Sequence, residues 1–140
     1  MSCYAMYMPM LRNEPEPIDE EVIRWETQLR KGALGLAVLA TLSERELYGL
    51  EILGRLRDAA GFSVPDGTIY PLLQRMKSSG FLESRWVEAD SGHPRKYYRL
   101  TLVGRRYLQR ISFRWGEFAH GMSRLLGPVK AGRHVARETG

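Results

Sequence analysis

Gly80 divides this chain into two kinds of pattern, and that division limits the folds open to it. Before it, Ile69, Leu72, Leu73 and Met76 recur at helical spacing in a segment running from Pro65 or Asp66 to about Ser79. After it, Phe81–Glu88 and Lys96–Thr101 are rich in Phe, Trp, Val and Tyr, the residues that suit strands. Between these strands, Ala89–Arg95 holds Asp90, Ser91, Gly92 and Pro94, which favour turns. The pattern predicts a helix followed at once by a β-hairpin with a long, basic-edged loop. Pro71 removes one hydrogen bond from that helix, so its first turn is expected to be slightly irregular.

The segments on either side are helical in pattern. Trp25, Leu29, Leu36 and Leu39, with Ala33, Ala37 and Ala40 between them, predict a first helix over about Glu20–Leu42, with Asp19 as its N-cap. Gly32 and Gly35 each weaken it by about 1 kcal/mol relative to Ala, which points to close approach of another helix. A second helix is expected over Leu47–Ala60, with Ile52, Leu53 and Leu56 inward and Gly61 ending it. Thr101 can cap a last helix over Leu102–Leu126, which Gly127 and Pro128 stop. The fold class is therefore mainly α with a small β-hairpin. Residues 1–18, broken by Pro9, Pro15 and Pro17, are expected to form a flexible arm, and residues 127–140 a basic tail.

Composition narrows the function classes. At 140 residues the chain suits one domain large enough to hold its own core. Its single cysteine, Cys3, allows no intrachain disulfide. No apolar run is long enough to span a membrane, and Met1–Met10 lacks the basic and apolar regions of a signal peptide, so a cytoplasmic protein is expected. His93, His120 and His134 are isolated from other ligand types, so no metal is expected. No P-loop, GxGxxG, HExxH, GxSxG or CxxC occurs; neither catalysis nor a cofactor is expected. The formal net charge of +5 is unevenly spread. Between Glu14 and Glu26, six acids face one base; between Gly67 and Arg110, nine bases face three acids. A basic half with an acidic flank fits a surface that meets phosphates.

Three short helices followed by a hairpin make a winged helix-turn-helix over residues 19–101, in which the third helix enters a DNA major groove. Opposite its apolar stripe lie Tyr70, Gln74, Lys77 and Ser78, flanked by Thr68 and Arg75. Gln and Arg can pair with base edges, while Thr, Tyr and Lys hold phosphates. The same face would also serve as the ordinary solvated side of an amphipathic helix. His93, Arg95 and Lys96 at the hairpin tip favour the DNA reading. In the last helix, Leu108, Ile111, Trp115, Phe118, Met122 and Leu125 follow 3, 4, 3, 4, 3 spacing, a heptad seam. Either it packs on the domain's own core or it meets a second copy; its length favours a homodimer, with residues 102–126 as a dimerisation helix.

Four stretches carry a resemblance: QLRKGALGLAVLATL at 28–42, Tyr48–Gly49, GTIYPLLQRMKSSGFLES at 67–84 and GHPRKYYRLTLVGRRYL at 92–108. Together they cover about Trp25–Leu126, and the chain resembles the PadR-like transcriptional regulators, in their branch with a single C-terminal dimerisation helix. The resemblance implies a homodimer built through the first helix (Trp25, Leu29) and the last. It also implies binding of double-stranded DNA through Thr68, Tyr70, Arg75, Arg95 and Lys96, and repression relieved by an effector. In some relatives small aromatic molecules stack on a tryptophan between the last helices. Trp115, beside Phe118, matches that position; the other reading is that both rings fill the dimer seam. Two further function classes stand beside the repressor: a winged-helix protein-interaction module without an operator, and a small-molecule sensor.

Overall fold

The computed structural model describes residues 16–90 and 92–128. Most of the expected N-terminal arm, with Cys3, and the tail from residue 129 lie outside the described residues. The element order is α1 (Pro17–Thr41), β1 (Leu47–Tyr48), α2 (Gly49–Ala60), α3 (Asp66–Ser78), β2 (Leu82–Val87), β3 (Arg95–Leu100) and α4 (Leu102–Leu126). The three strands form one antiparallel sheet in the order β1-β3-β2.

Two starts differ from the sequence expectation. Helix α1 begins at Pro17, inside the stretch expected to be an arm, and not near Glu20. Proline is at home in the first helical position, where its missing N–H is not needed. Asp19 is three residues into the first turn, not the N-cap, and its Oδ2 accepts from the Glu16 N–H at 2.8 Å. Helix α2 begins at Gly49 because Leu47 and Tyr48 form a short strand against Tyr98 and Tyr97. The hairpin is in register from Leu82 opposite Leu100 to Val87 opposite Arg95.

One core joins these elements. Val38, Leu39 and Leu42 from α1, Ile52 and Leu56 from α2, and Ile69, Leu72, Leu73 and Met76 from α3 close over Leu47, Leu82, Tyr98 and Leu100 of the sheet. The α3 stripe inferred from its period is the stripe that is buried. Pro71 leaves α3 unbroken; both Thr68 and Ile69 donate to the Pro65 carbonyl, at 2.9 and 3.3 Å, so the first turn is tightened. Gly61 and Gly80, at φ 65° and 84°, end α2 and the turn after α3 in the left-handed region that favours glycine.

Helix α4 starts from a fixed joint. The Thr101 hydroxyl accepts from the Gly104 N–H at 2.9 Å, as a cap should, and donates to the Gly80 carbonyl at 2.6 Å. The Thr101 N–H donates to the Phe81 carbonyl at 3.0 Å. The Phe81 and Tyr107 rings stack with centroids 4.1 Å apart. The Arg105 guanidinium donates to the Ser43 carbonyl at 3.1 Å. The turn that leaves α3 is thus the seat on which α4 begins.

Candidate nucleic-acid interface

Burying Ile69, Leu72, Leu73 and Met76 turns the opposite face of α3 outward. Thr68, Tyr70, Gln74 and Arg75 are exposed and Lys77 half-buried, so the candidate reading residues lie on the face the period assigned to them. They divide by side. Thr68 and Arg75 line a cleft of about 640 Å³ with Lys31, Gly32 and Gly35 of α1 and Tyr107 of α4. Tyr70 lies on the other side, against the start of α2. A Cβ added at Gly35 would meet the Met76 Cε at 3.4 Å, an ordinary contact with a flexible side chain, and one added at Gly32 would meet nothing within 4 Å among the described residues, so contacts within the chain do not account for either glycine.

The hairpin extends beyond the core, with His93 and Arg95 exposed and Lys96 half-buried. Among the described residues, none of Arg75, Lys77, Arg95 or Lys96 forms an ion pair. Other bases of the same sheet are spoken for. Arg85 makes a two-pronged pair with Glu46, one prong 3.0 Å long, and Arg99 pairs with Glu83 at 2.7 Å. The Arg85 hydrogen bond, more than the charges of Arg85 and Arg99, holds the Glu46 carboxyl below the usual carboxylate range. Carboxylates thus occupy Arg85 and Arg99, while among the described residues none pairs with Arg75, Lys77, Arg95 or Lys96.

Aromatic rings lie against two of these bases, Arg95 and Lys96. The Arg95 guanidinium stands 4.6 Å from the Tyr48 ring centroid. The Lys96 Nζ stands 5.7 Å from the Trp86 ring and 5.9 Å from the Tyr98 ring. Trp86 is 66% exposed, an uncommon place for an indole unless something covers or uses it. Burial pushes the Tyr98 hydroxyl up, with Tyr70 acting in the same direction, so Tyr98 stays neutral. Sequence reasoning did not single out Tyr48, Glu46, Arg85 or Trp86 as parts of this surface.

The apolar seam of α4 divides in two. Leu108 and Ile111 pack on the chain's own core, while Trp115, Phe118, Met122 and Leu125 are exposed, as are Trp25 and Leu29 of α1. Between α1 and α4 a cleft of about 530 Å³ is lined by Leu29, Gly32, Leu36, Ile111, Trp115 and Phe118, among others. The Trp115 and Phe118 rings are 6.2 Å apart and tilted by 37°.

Among the described residues no group of three or more His, Cys, Asp or Glu side chains could hold a metal, and no helix is long and apolar enough to cross a membrane. Residues 38–110, more than half of the chain, match the transcriptional regulator PadR-like family. The chain is similar to the crystal structure of a PadR family transcriptional regulator from Eggerthella lenta (36% identity, TM-score 0.70, covering 80% of this chain and 97% of that one). It is also similar to a PadR-like transcriptional regulator from Bacillus cereus (32% identity, TM-score 0.66, covering 73% and 99%). A transcriptional regulator of Mycobacterium tuberculosis is 32% identical over 81 residues, 58% of this chain and 74% of that one. With a winged helix-turn-helix, a single long C-terminal helix and a match spanning the core, α3 and the wing, the chain belongs to the PadR-like family of transcriptional regulators, which are DNA-binding proteins and not enzymes.

Proposed function

We propose that this regulator is a cytoplasmic repressor that binds a palindromic operator as a homodimer. The observation that carries the reading is the distribution of charge. Among the described residues, Arg75 and Lys77 on α3 and Arg95 and Lys96 on the wing pair with no carboxylate, whereas Arg85 and Arg99 do. In this reading α3 enters the major groove, Gln74 and Arg75 meet base edges, and Thr68, Tyr70, Lys77, His93, Arg95 and Lys96 meet the backbone. The dimer is supported by the exposed large apolar side chains Trp25 and Leu29 of α1 and Trp115, Phe118, Met122 and Leu125 of α4, of which Leu29, Trp115 and Phe118 line one cleft. Two-fold symmetry would set two α3 helices about 34–36 Å apart, one turn of DNA. A dimer seated on an operator within a promoter represses by excluding polymerase.

The test is binding to a labelled duplex from the region upstream of the protein's own gene, titrated across salt concentrations. Affinity should fall steeply with salt, and a scrambled duplex should bind at least about a thousandfold more weakly. Equal affinity for both duplexes would leave a winged module without an operator. A second reading, release by a flat aromatic effector, is supported by the cleft beside Trp115 and Phe118. An aromatic ligand there would gain about 0.5–1.5 kcal/mol from ring stacking beyond its buried area.

A further inference from the structure

Tyr48 and Gly49 are adjacent in the chain and touch the two elements assigned to DNA from opposite sides. Tyr48 pairs with Tyr97 across the β1–β3 ladder. Side chains alternate along a strand, so Tyr97 and Arg95 share a face of β3, and Tyr48 lies opposite the first and diagonal to the second. The rings agree with this register: Tyr97 meets Tyr48 edge-on at 5.4 Å, and the Arg95 guanidinium lies over the Tyr48 ring at 4.6 Å. On the other side, Gly49 is buried beneath Tyr70 of α3. A Cβ at Gly49 would lie 2.5 Å from the Tyr70 hydroxyl and 2.6 Å from its Cε1.

The chemistry of the Arg95 contact differs from that of its neighbours. A carboxylate fixes an arginine by cancelling its charge, as Glu46 does for Arg85 and Glu83 for Arg99. A ring face fixes the guanidinium plane and leaves both its charge and its edge N–H groups available. We propose that Tyr48 and Gly49 are positioning residues for DNA binding. The Tyr48 ring aims the wing's Arg95 at a phosphate, and the bare Gly49 backbone seats Tyr70, so that this joint sets the placement of α3 relative to the wing. The inference rests on the DNA reading above and adds a residue pair to it.

The experiment measures affinity and its salt dependence on the labelled upstream duplex for Tyr48→Phe, Tyr48→Leu, Arg95→Ala and the double variant Tyr48→Leu/Arg95→Ala. Tyr48→Phe keeps the ring and should bind like wild type. Tyr48→Leu should lose affinity roughly two- to thirtyfold. It should also flatten the slope of log K against log salt by about one unit, as Arg95→Ala does. The double variant should bind no more weakly than Arg95→Ala alone. Gly49→Ala should lower the preference for the upstream duplex over the scrambled one, because it displaces Tyr70 and α3 and not the wing, and an unchanged preference would overturn its part in the joint. In the wild type, Arg95 side-chain protons over the ring should resonate upfield of free-arginine positions, a readout that needs no variant to fold. Free-arginine shifts, a Tyr48→Leu variant with wild-type affinity, or additive losses in the double variant would each overturn the positioning role. If Arg95→Ala itself binds like wild type, the fault lies in the wing assignment, and the positioning role falls with it.

Discussion

Replacing Gly104 with alanine separates helix propensity from packing, because the two predict opposite signs. In an exposed helix interior, Gly→Ala stabilises by about 0.5–1 kcal/mol. At Gly104 the added Cβ would collide with the Phe81 carbonyl oxygen and lie 2.9 Å from the Phe81 carbonyl carbon and 3.2 Å from its Cα. Those are backbone atoms, and they are pinned: Phe81 donates its N–H to Met76 and accepts from Thr101, both at 3.0 Å. The start of α4 would have to retreat by roughly an ångström to restore ordinary contact. Overpacking of this kind costs about 1–3 kcal/mol. Stretching the Thr101–Phe81 hydrogen bond adds about 0.5–1.5 kcal/mol. After subtracting the propensity gain, Gly104→Ala should destabilise by about 2 kcal/mol, lowering Tm by roughly 7 °C. Gly116, in the same helix, has nothing within 4 Å of its Cβ position, so Gly116→Ala should instead raise Tm slightly. Thermal and urea unfolding followed by circular dichroism, at one fixed protein concentration, measures both. A Gly104→Ala variant at least as stable as wild type would refute the packing argument.

Other perturbations test the remaining surfaces. Phe118→Asp with Met122→Asp should yield a monomer that keeps the winged domain folded and no longer binds the operator, since charges buried in an apolar seam cost several kcal/mol unless paired; a wild type that sediments as a monomer at micromolar concentration would defeat this. Ile111 is a poor choice for that experiment, because it packs on the domain core. The Arg85 pair lowers the pKa of Glu46, so its contribution to stability is present above the ordinary carboxylate range and fades as pH falls through the lowered value. Glu46→Gln should therefore lower Tm at neutral pH and converge with wild type as pH falls through the lowered Glu46 value; a gap that does not narrow on acidification would exclude the pair as its source. Flat aromatic compounds should quench wild-type tryptophan fluorescence more than that of Trp115→Leu, and equal quenching would place any effector away from Trp115.

Much of this architecture is legible in the chain because its signals are local. The α3 stripe repeats at helical period, Gly80 ends it, the turn residues 90–94 separate two aromatic strands, and Thr101 stands where a cap is needed. The misread features are set by distant partners. Two residues cannot display alternation, and Leu47–Tyr48 form a strand only because β3 lies beside them. Proline signals a break in most contexts, yet Pro17 opens a helix. Heptad spacing runs unbroken from Leu108 to Leu125, and it carries no mark of where the chain's own core ends and open surface begins; that boundary falls after Ile111. The Glu46–Arg85 pair spans 39 residues, and the Arg95–Tyr48 contact depends on the β1–β3 register, so neither leaves a short-range trace.

The joint at Thr101 and Gly104 gives α4 mechanical advantage over α3. A helix of 25 residues is about 37 Å long. Its base is clamped by two Thr101 hydrogen bonds and a stacked ring pair to Gly80 and Phe81, in the turn that leaves α3. A rod so clamped transmits rotation. Turning α4 by about 5° about its base sweeps the far end through roughly 3 Å, and the same torque applied at the far end acts on the turn that closes α3. In a dimer joined along α4, the angle at which the two rods cross therefore gears the separation of the two α3 helices. On the proposed effector reading, a ligand at Trp115, about halfway along the rod, would work that gear with leverage and detune the fit to consecutive major grooves without touching the side chains proposed to meet DNA.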